Sequence, residues 1–265
     1  MPSPLTGIPE VWSQVAEEYQ RHVVPDFTPA ARTLCGSIGI HAGDAVLDVA
    51  CGPGTAAFVA EDFGAAPVIG IDFARRMVVV AQRQRGHRKT TRFVAAEAAA
   101  LPFPNRRFDA LISSFGLIFA SKPIRAGAEA ARVLKPGGRL GLLAWQQEGT
   151  VAAYQRIAFR YLENRPGTHD PLRWGEPVQA RTWLKGFREV EVTPIEVPYH
   201  AESALAAWHV LRTAMGRIAA GYAGLDPPTQ QRLDAEMVEF FDRFRDASGR
   251  IYWPREAMCI RGIRQ

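Results

Sequence analysis

The chain has 265 residues, of which 47% are hydrophobic and 22% charged, and its formal net charge is +5. This length and composition predict a globular protein with a sizeable core and exclude a disordered or low-complexity chain. The three cysteines are too widely spaced for a disulfide framework or a zinc site, and no metal site is predicted. No signal segment or membrane span is recognised, so a cytoplasmic location is expected.

The N-terminal segment is predicted to be helical. Apolar residues recur at helical spacing from residue 9 onward, Pro25 is expected to break this first helix, and a second helix is predicted over residues 29–36. Both helices precede the first predicted strand. Residues 1–40 are therefore interpreted as a helical cap over the open end of a sheet.

From residue 43 onward, strands alternate with helices. Strands are predicted at residues 45–50, 67–71, 92–95, 108–115 and 139–145, and helices at residues 55–63, 74–85 and 124–134. Two further strands are predicted at residues 189–197 and 257–260, the second after a short apolar run that Pro254 ends. The alternation predicts an α/β fold with a right-handed, doubly wound parallel sheet of the Rossmann-like type, with seven strands in all.

Helical insertions interrupt this predicted sheet domain. The predicted segments are a core over residues 41–146, an insert over 147–177, a core continuation over 178–200, a helical cap insert over 201–250 and a final core strand over 251–265. We expect the inserts and the N-terminal helices to form a pocket at the carboxyl edge of the sheet, because open α/β sheets bind ligands there.

The turn after the first strand carries the strongest chemical signal. Residues 52–57 satisfy G-x-G-x-x-A, a nucleotide-binding pattern that is weak on its own. Asp48, inside the preceding strand, would repel a pyrophosphate but suits a ligand with an ammonium group. Asp72, at the end of the second strand, is suited to accept ribose hydroxyl groups. These residues leave an NAD(P)-dependent oxidoreductase open as an alternative.

Four motifs, at residues 48–55, 70–74, 96–103 and 132–138, follow one another with regular spacing. Their residues and order resemble those of class I S-adenosylmethionine-dependent methyltransferases. The resemblance covers residues 10–145 and is strongest to small-molecule enzymes of the ubiquinone/menaquinone-methyltransferase type. It implies S-adenosylmethionine as cofactor and in-line methyl transfer to an oxygen or carbon of a small acceptor. A non-catalytic S-adenosylmethionine-binding protein is a further alternative.

The resemblance implies that the first motif holds the methionine part of the cofactor. Asp48 and Ala50 belong to the strand end, and Gly52 and Gly54 supply the backbone of the turn. The fourth strand would bring Ser114 near the sulfonium. In a purely structural interpretation, Asp48 instead caps backbone amides of the turn.

The resemblance also implies contacts to the adenosine part. Asp72 would accept the ribose hydroxyls, with Phe73 and Met77 packed around the nucleoside. Glu97 would accept a hydrogen bond from the adenine amine, and the Ala98 amide would meet the ring. Many relatives carry Asp at the position of Glu97.

The acceptor pocket is predicted to be apolar and aromatic. The resemblance implies that Tyr19 closes over the cofactor. The residues expected around the acceptor are Trp12, Phe27, Phe115, Phe119, Trp174, Trp208 and Met215. They favour a hydrophobic, ring-containing small molecule, and their alternative role is the core of the inserts. No catalytic base is assigned, because no histidine has a partner that the sequence identifies.

A basic run over residues 75–92 is the main source of local positive charge. It is interpreted as the solvated face of a helix that flanks the sheet, so no nucleic-acid partner is predicted. An RNA methyltransferase would use such a run for binding. A homodimer is compatible with the sequence.

Overall fold

The computed structural model describes residues 8–162 and 170–265. Its strands are Val46–Val49 (β1), Val68–Asp72 (β2), Thr91–Ala95 (β3), Phe108–Ser114 (β4), Leu134–Trp145 (β5), Phe187–Ala201 (β6) and Ile251–Arg264 (β7). They form one sheet in the order β3-β2-β1-β4-β5-β7-β6. The first five strands pair in parallel, and β7 runs antiparallel to β5 and β6. The predicted seven-stranded α/β sheet is confirmed, and it is mixed.

Helices surround this sheet. Within the described ranges, the α-helices are Ile8–Gln14 (α1), Ala16–His22 (α2), Val24–Ser37 (α3), Thr55–Asp62 (α4), Arg75–Gln84 (α5), Pro123–Val133 (α6), Thr150–Tyr161 (α7), Pro177–Trp183 (α8), Ala204–Ala214 (α9), Gly216–Ala223 (α10) and Pro227–Asp242 (α11). Short 3-10 helices cover Leu117–Phe119 and Pro171–Gly175. No helix in these ranges has both the length and the apolar character needed to cross a membrane.

The central strands are nearly continuous apolar runs because helices cover both faces of the sheet. Every residue of β1 and β2 is buried, including the two carboxylates Asp48 and Asp72. Buried carboxylates are costly unless hydrogen bonds or a positive charge compensate them. The fold therefore places its costliest side chains at one edge of the sheet.

Pro25 begins a helix, and the prediction that it breaks one is wrong. It lies in the first turn of α3, and the interruption falls instead at Val23, between α2 and α3. Proline is well accommodated there because the first amides of a helix have no intrahelical partner to lose.

The strands of the antiparallel half are longer than predicted. β5 begins at Leu134 rather than residue 139, and β7 continues through Pro254 as one strand of 14 residues. Pro254 lies opposite Pro198 in the β6–β7 ladder. The two prolines, which have no N–H to donate, thus face each other at one position, and β6 and β7 remain paired on both sides of it. The apolar run that Pro254 was expected to end is therefore part of one longer strand.

An aromatic cluster around Trp253 fastens the C-terminal helices to the sheet. The Trp253 side chain is fully buried, and its ring centroid lies 5.4 Å from that of Tyr154 on α7 and 5.2 Å from that of Phe241 on α11. Edge-to-face contacts of this kind add to the free energy gained by burying aromatic surface. The cluster therefore determines where α7 and α11 lie above the sheet.

Replacement of Trp253 by Ala is expected to lower the free energy of unfolding by about 3–5 kcal/mol, because it leaves a cavity between β7 and the helices. Trp253→Phe is the matched control. It keeps a buried ring and removes an indole N–H that has no partner among the described residues. Urea unfolding followed by circular dichroism measures both, and equal losses for the two variants would contradict the packing argument.

Candidate active site

The carboxyl ends of β1, β2 and β4 meet at the edge predicted to bind the cofactor. A narrow cavity of about 60 Å³ lies there. The predicted cofactor residues that line it are Tyr19, Asp48, Ala50, Gly52, Asp72, Phe73, Met77 and Ser114. A second cavity of about 230 Å³ is lined by Glu97 and Ala98, and it shares Ala50 and Phe73 with the first. The two cavities are therefore adjacent, and together they contain all but one of the predicted residues.

Gly54 is the predicted residue that lines neither cavity. It precedes the first residue of α4 with φ of 94°, a left-handed conformation that favours glycine. A Cβ at this position would lie 2.7 Å from Cζ of Phe93. Gly54 thus acts through the backbone, because it allows the chain to turn tightly from β1 into α4.

Asp48 has one occupied and one free carboxylate oxygen. Its Oδ2 accepts a hydrogen bond of 2.9 Å from the Ala57 amide in the first turn of α4. Its Oδ1 is buried and has no partner among the described residues. Burial raises the pKa of this carboxyl well above its ordinary value. The structural and the ligand-binding interpretations of Asp48 are therefore compatible, one for each oxygen.

Asp72 ties together the two turns that surround the cavity. Its Oδ2 accepts from the Gly52 amide and its Oδ1 from the Ala74 amide, both at 2.8 Å. Burial, together with a smaller effect of the charge of Glu97, raises the pKa of Asp72 to about 6 against the opposing effect of these two bonds. Each carboxylate oxygen can accept more than one hydrogen bond, so Asp72 retains capacity for a ligand hydroxyl.

The ends of β1 and β4 approach each other closely beside the cavity. Ala50 and Phe115 both have left-handed backbones, with φ of 54° and 60°. A Cβ on Gly116 would lie only 2.2 Å from the Ala50 carbonyl oxygen, so only glycine fits there. Ser113 joins the two strand ends, because its hydroxyl donates to the Val49 carbonyl at 2.6 Å and accepts from the Leu117 amide.

Aromatic side chains from the N-terminal helices cover the narrow cavity. The Tyr19 ring lies between Trp12 and Phe27, with centroid distances of 5.7 and 6.4 Å. Burial raises the pKa of the Tyr19 hydroxyl, which stays protonated at neutral pH. These rings line the narrow cavity, and the closing role of Tyr19 over a cofactor stays a prediction.

The chemistry of the cavity matches a cationic adenosine cofactor. Five buried side-chain polar atoms lack a partner in the described structure, and three of them belong to residues that line this cavity: Trp12 Nε1, Asp48 Oδ1 and Ser114 Oγ. No lysine or arginine of the described residues lines this cavity or its neighbour. An acidic, apolar site without a basic group disfavours a diphosphate and suits an ammonium and a sulfonium.

A third cavity, of about 710 Å³, lies between α7, α10 and the segment around Leu172, and we call it the cap cavity. It shares Trp12 and Phe119 with the narrow cavity. Met215 also lines it, as predicted for the acceptor pocket. No described histidine lines any of the three cavities, and His169 lies outside the described residues.

Two tryptophans predicted around the acceptor belong to the core of the inserts instead. Trp174 and Trp208 are fully buried and line none of the three cavities. The Trp208 indole donates to Asp234 at 2.5 Å, which joins α9 to α11. Large aromatic residues in an insert often form the core of that insert, and Trp174 and Trp208 do so here.

Several arginines of the basic run over residues 75–92 form ion pairs with acidic residues of the same chain. Arg76 and Arg83 on α5 both bind Glu17 on α2, at 2.7 and 3.0 Å. Arg88 binds Asp62 at 2.7 Å. These contacts support the interpretation of α5 as a flanking helix, and they attach the N-terminal helices to it.

Two arginines near the site were not predicted from the sequence. Arg255 on β7 is buried, its guanidinium lies 5.0 Å from the Phe27 ring centroid, and its Nε donates to the Val197 carbonyl at 2.9 Å. Arg217 on α10 lines the cap cavity. Neither has a local sequence signal, because their neighbours come from distant parts of the chain.

Comparisons with known proteins agree with this geometry. A family described as a methyltransferase domain matches residues 47–142. A demethylmenaquinone methyltransferase of Renibacterium salmoninarum is 37% identical over 131 residues, which are 49% of this chain and 53% of that protein. The chain spans about half to two thirds of the length of the curated relatives it matches.

Solved structures share the fold. The YcgJ protein of Bacillus subtilis superposes with a TM-score of 0.60 at 21% identity, covering 89% of this chain and 99% of that one. The [4+2]-cyclase SpnF superposes with a TM-score of 0.51 at 23% identity, covering 89% and 84%. At such identities the likeness establishes the fold alone.

The raised pKa of Asp72 makes folding depend on pH. Between the pKa of an unfolded Asp, about 3.9, and the folded value of about 6, the folded state binds more protons, so lower pH favours folding. This contribution is complete below pH 4 and is lost as the pH rises through 6. From pH 8 to pH 5, the free energy of unfolding relative to Asp72→Asn should rise by about 1 kcal/mol. Urea unfolding at both pH values tests this, and a flat difference would contradict it.

Proposed function

We propose that the chain is an S-adenosylmethionine-dependent methyltransferase and that it methylates a small, hydrophobic or ring-containing acceptor on oxygen or carbon. One observation carries the proposal. The cavity at the β1–α4 turn combines buried carboxylates with unpartnered polar atoms, and it adjoins the cap cavity through Trp12 and Phe119. Donor and acceptor would thus bind on either side of one apolar junction.

We assign the cofactor contacts residue by residue. The free Oδ1 of Asp48 would accept from the cofactor's ammonium group, and the backbone of Gly52 would contact its carboxylate near the start of α4. Asp72 would accept from the ribose hydroxyls. Ser114, which also has an unpartnered hydroxyl, would lie near the sulfonium.

The adenosine part would extend into the neighbouring cavity. Phe73 lines both cavities, and Met77 belongs to the narrow one. Glu97 would accept from the adenine amine, with the Ala98 amide against the ring. The 230 Å³ of this cavity suit a planar base better than the narrow cavity does.

The bound cofactor supplies an activated methyl group: an acceptor atom would attack the methyl carbon in line with the carbon–sulfur bond, and S-adenosylhomocysteine would leave. The residues of this chain align the two reactants and exclude water, which can lower the barrier by several kcal/mol. Trp12, Tyr19 and Phe119 perform the exclusion. We assign no general base, because an acceptor that is already anionic requires none.

The relatives support a ring-containing acceptor. Several are named demethylmenaquinone methyltransferases, which favours a quinone-related ring for this chain. The apolar lining contributed by Phe159, Met215 and Ile218 suits such a ring. The second candidate function for this chain is a role without methyl transfer, because one protein that shares the fold is named a [4+2]-cyclase.

Calorimetry provides the direct test. We expect S-adenosylmethionine and S-adenosylhomocysteine to bind and NADH not to bind. Asp48→Asn should weaken binding of both ligands by roughly tenfold to a hundredfold, because it removes a charge-assisted hydrogen bond to the ammonium group. Asp72→Ala should weaken binding further, since it also releases the Gly52 turn.

Asp109→Asn is the matched control. Asp109 also accepts a backbone amide, that of Ala45, but it lies at the opposite end of the sheet. It should bind the cofactor like the wild type. Binding of NADH without binding of S-adenosylmethionine would refute the proposal, and cofactor binding without methylation of any ring-containing acceptor would favour the non-methylating role.

A further inference from the structure

The cap cavity is amphipathic. The apolar side chains of its lining include Phe159 on α7 and Ile218 on α10. The charged side chains of the lining are Glu148, Arg156, Arg160, Asp170 and Arg217, three of which lie on the same two helices. A cavity of this size accommodates a drug-sized molecule. Its lining therefore suits a ligand with an apolar body and a charged group.

Arg217 is the charged residue whose environment is incomplete. It is partly buried on α10, and its guanidinium lies 5.2 Å from the Phe159 ring centroid. It forms no ion pair and donates no hydrogen bond to any residue in the described ranges. Burial lowers its pKa, and the charge of Asp170 only partly opposes this effect. A partly buried guanidinium without an acceptor is costly, and an anion would relieve that cost.

The neighbouring arginines differ from Arg217 in this respect. Arg160 forms an ion pair with Glu236, and Arg212, five residues before Arg217, forms one with Asp234 at 2.9 Å. Arg156 is exposed to solvent. Glu148 and Asp170 are the acidic residues of the lining among the described residues, and neither forms an ion pair there with Arg217. Among the arginines of this lining, Arg217 is thus the one that is partly buried and has no ion pair among the described residues.

We propose that the cap cavity binds an acceptor that carries a carboxylate or phosphate group on an apolar ring system, with Arg217 as the residue that binds the anion. This inference rests on the proposed methyl transfer and narrows its acceptor. The methylated atom would point toward the junction formed by Trp12 and Phe119, and the anion would lie on the side of α10. A neutral quinone-type acceptor would leave Arg217 without a partner.

The test uses the full chain saturated with S-adenosylhomocysteine and matched pairs of small probes. The first pair is 6-hydroxy-2-naphthoic acid and its methyl ester, and the second is 2-naphthyl phosphate and 2-naphthol. Calorimetry should show that one anionic probe or both bind about tenfold to a hundredfold more tightly than the neutral partner. The pair with the larger ratio identifies the anion as carboxylate or phosphate.

Arg217→Met should abolish this preference, because methionine keeps an apolar chain and removes the charge. Arg160→Met is the matched control, since Arg160 lines the same cavity but Glu236 already neutralises it. That variant should retain the preference. Unchanged binding of S-adenosylhomocysteine by Arg217→Met would show that the variant is folded.

The outcomes separate the two proposals. If S-adenosylhomocysteine binds but neither anion is preferred, including the case in which no probe binds, the inference about Arg217 is wrong and the proposed function stands. A preference that survives in Arg217→Met also overturns the inference. If S-adenosylhomocysteine fails to bind to the wild type, the proposed function itself fails, and with it the assignment of the cavity to an acceptor.

Discussion

Two buried carboxylates hold the turn between β1 and α4, and the rest of the site takes its position from that turn. Asp48 fixes the first turn of α4 through the Ala57 amide, and Asp72 fixes the Gly52 amide from the neighbouring strand. Amide hydrogen bonds to charged acceptors are about twice as strong as neutral ones. They only partly offset the desolvation of two carboxylates, so the pKa of each group remains raised. A cationic ligand next to Asp48 Oδ1 would supply the missing compensation, and binding and structural stability are thereby linked in one pair of side chains.

The aromatic cover depends on the same turn. Trp12 and Phe119 line both the narrow cavity and the cap cavity, with ring centroids 5.2 Å apart. Phe119 reaches this position because Gly116 lets the chain after β4 pass close to the Ala50 carbonyl. Trp12 reaches it because its helix packs against Met77 and Val80 of α5 in a small apolar cluster. One close backbone approach and one apolar contact between helices thus position the two rings.

The sequence predicted what is encoded locally and failed where distant residues decide. The strand, turn and helix around Asp48 depend on adjacent residues, so their bounds differed from the structure by only one or two positions. Pro254 was misinterpreted because its tolerance depends on Pro198, which lies far away in sequence and directly opposite in the ladder. Trp174 and Trp208 could not be divided between pocket and core, because aromatic residues occur in both. The sequence around Arg217 did not indicate a binding role. Whether an arginine has an ion-pair partner depends on which residues the fold brings next to it.

The charged groups of the cavities differ. Asp48, Asp72 and Glu97 line the narrow cavity and its neighbour, whereas the lining of the cap cavity includes Arg217, which has no ion pair among the described residues. Between them lies an apolar junction in which charges interact more strongly than in water. Methyl transfer removes the positive charge of a sulfonium, and a junction that solvates ions poorly favours a transition state in which that charge is already dispersed. In the proposed complex, an anion bound by Arg217 would fix the orientation of the acceptor relative to the donor.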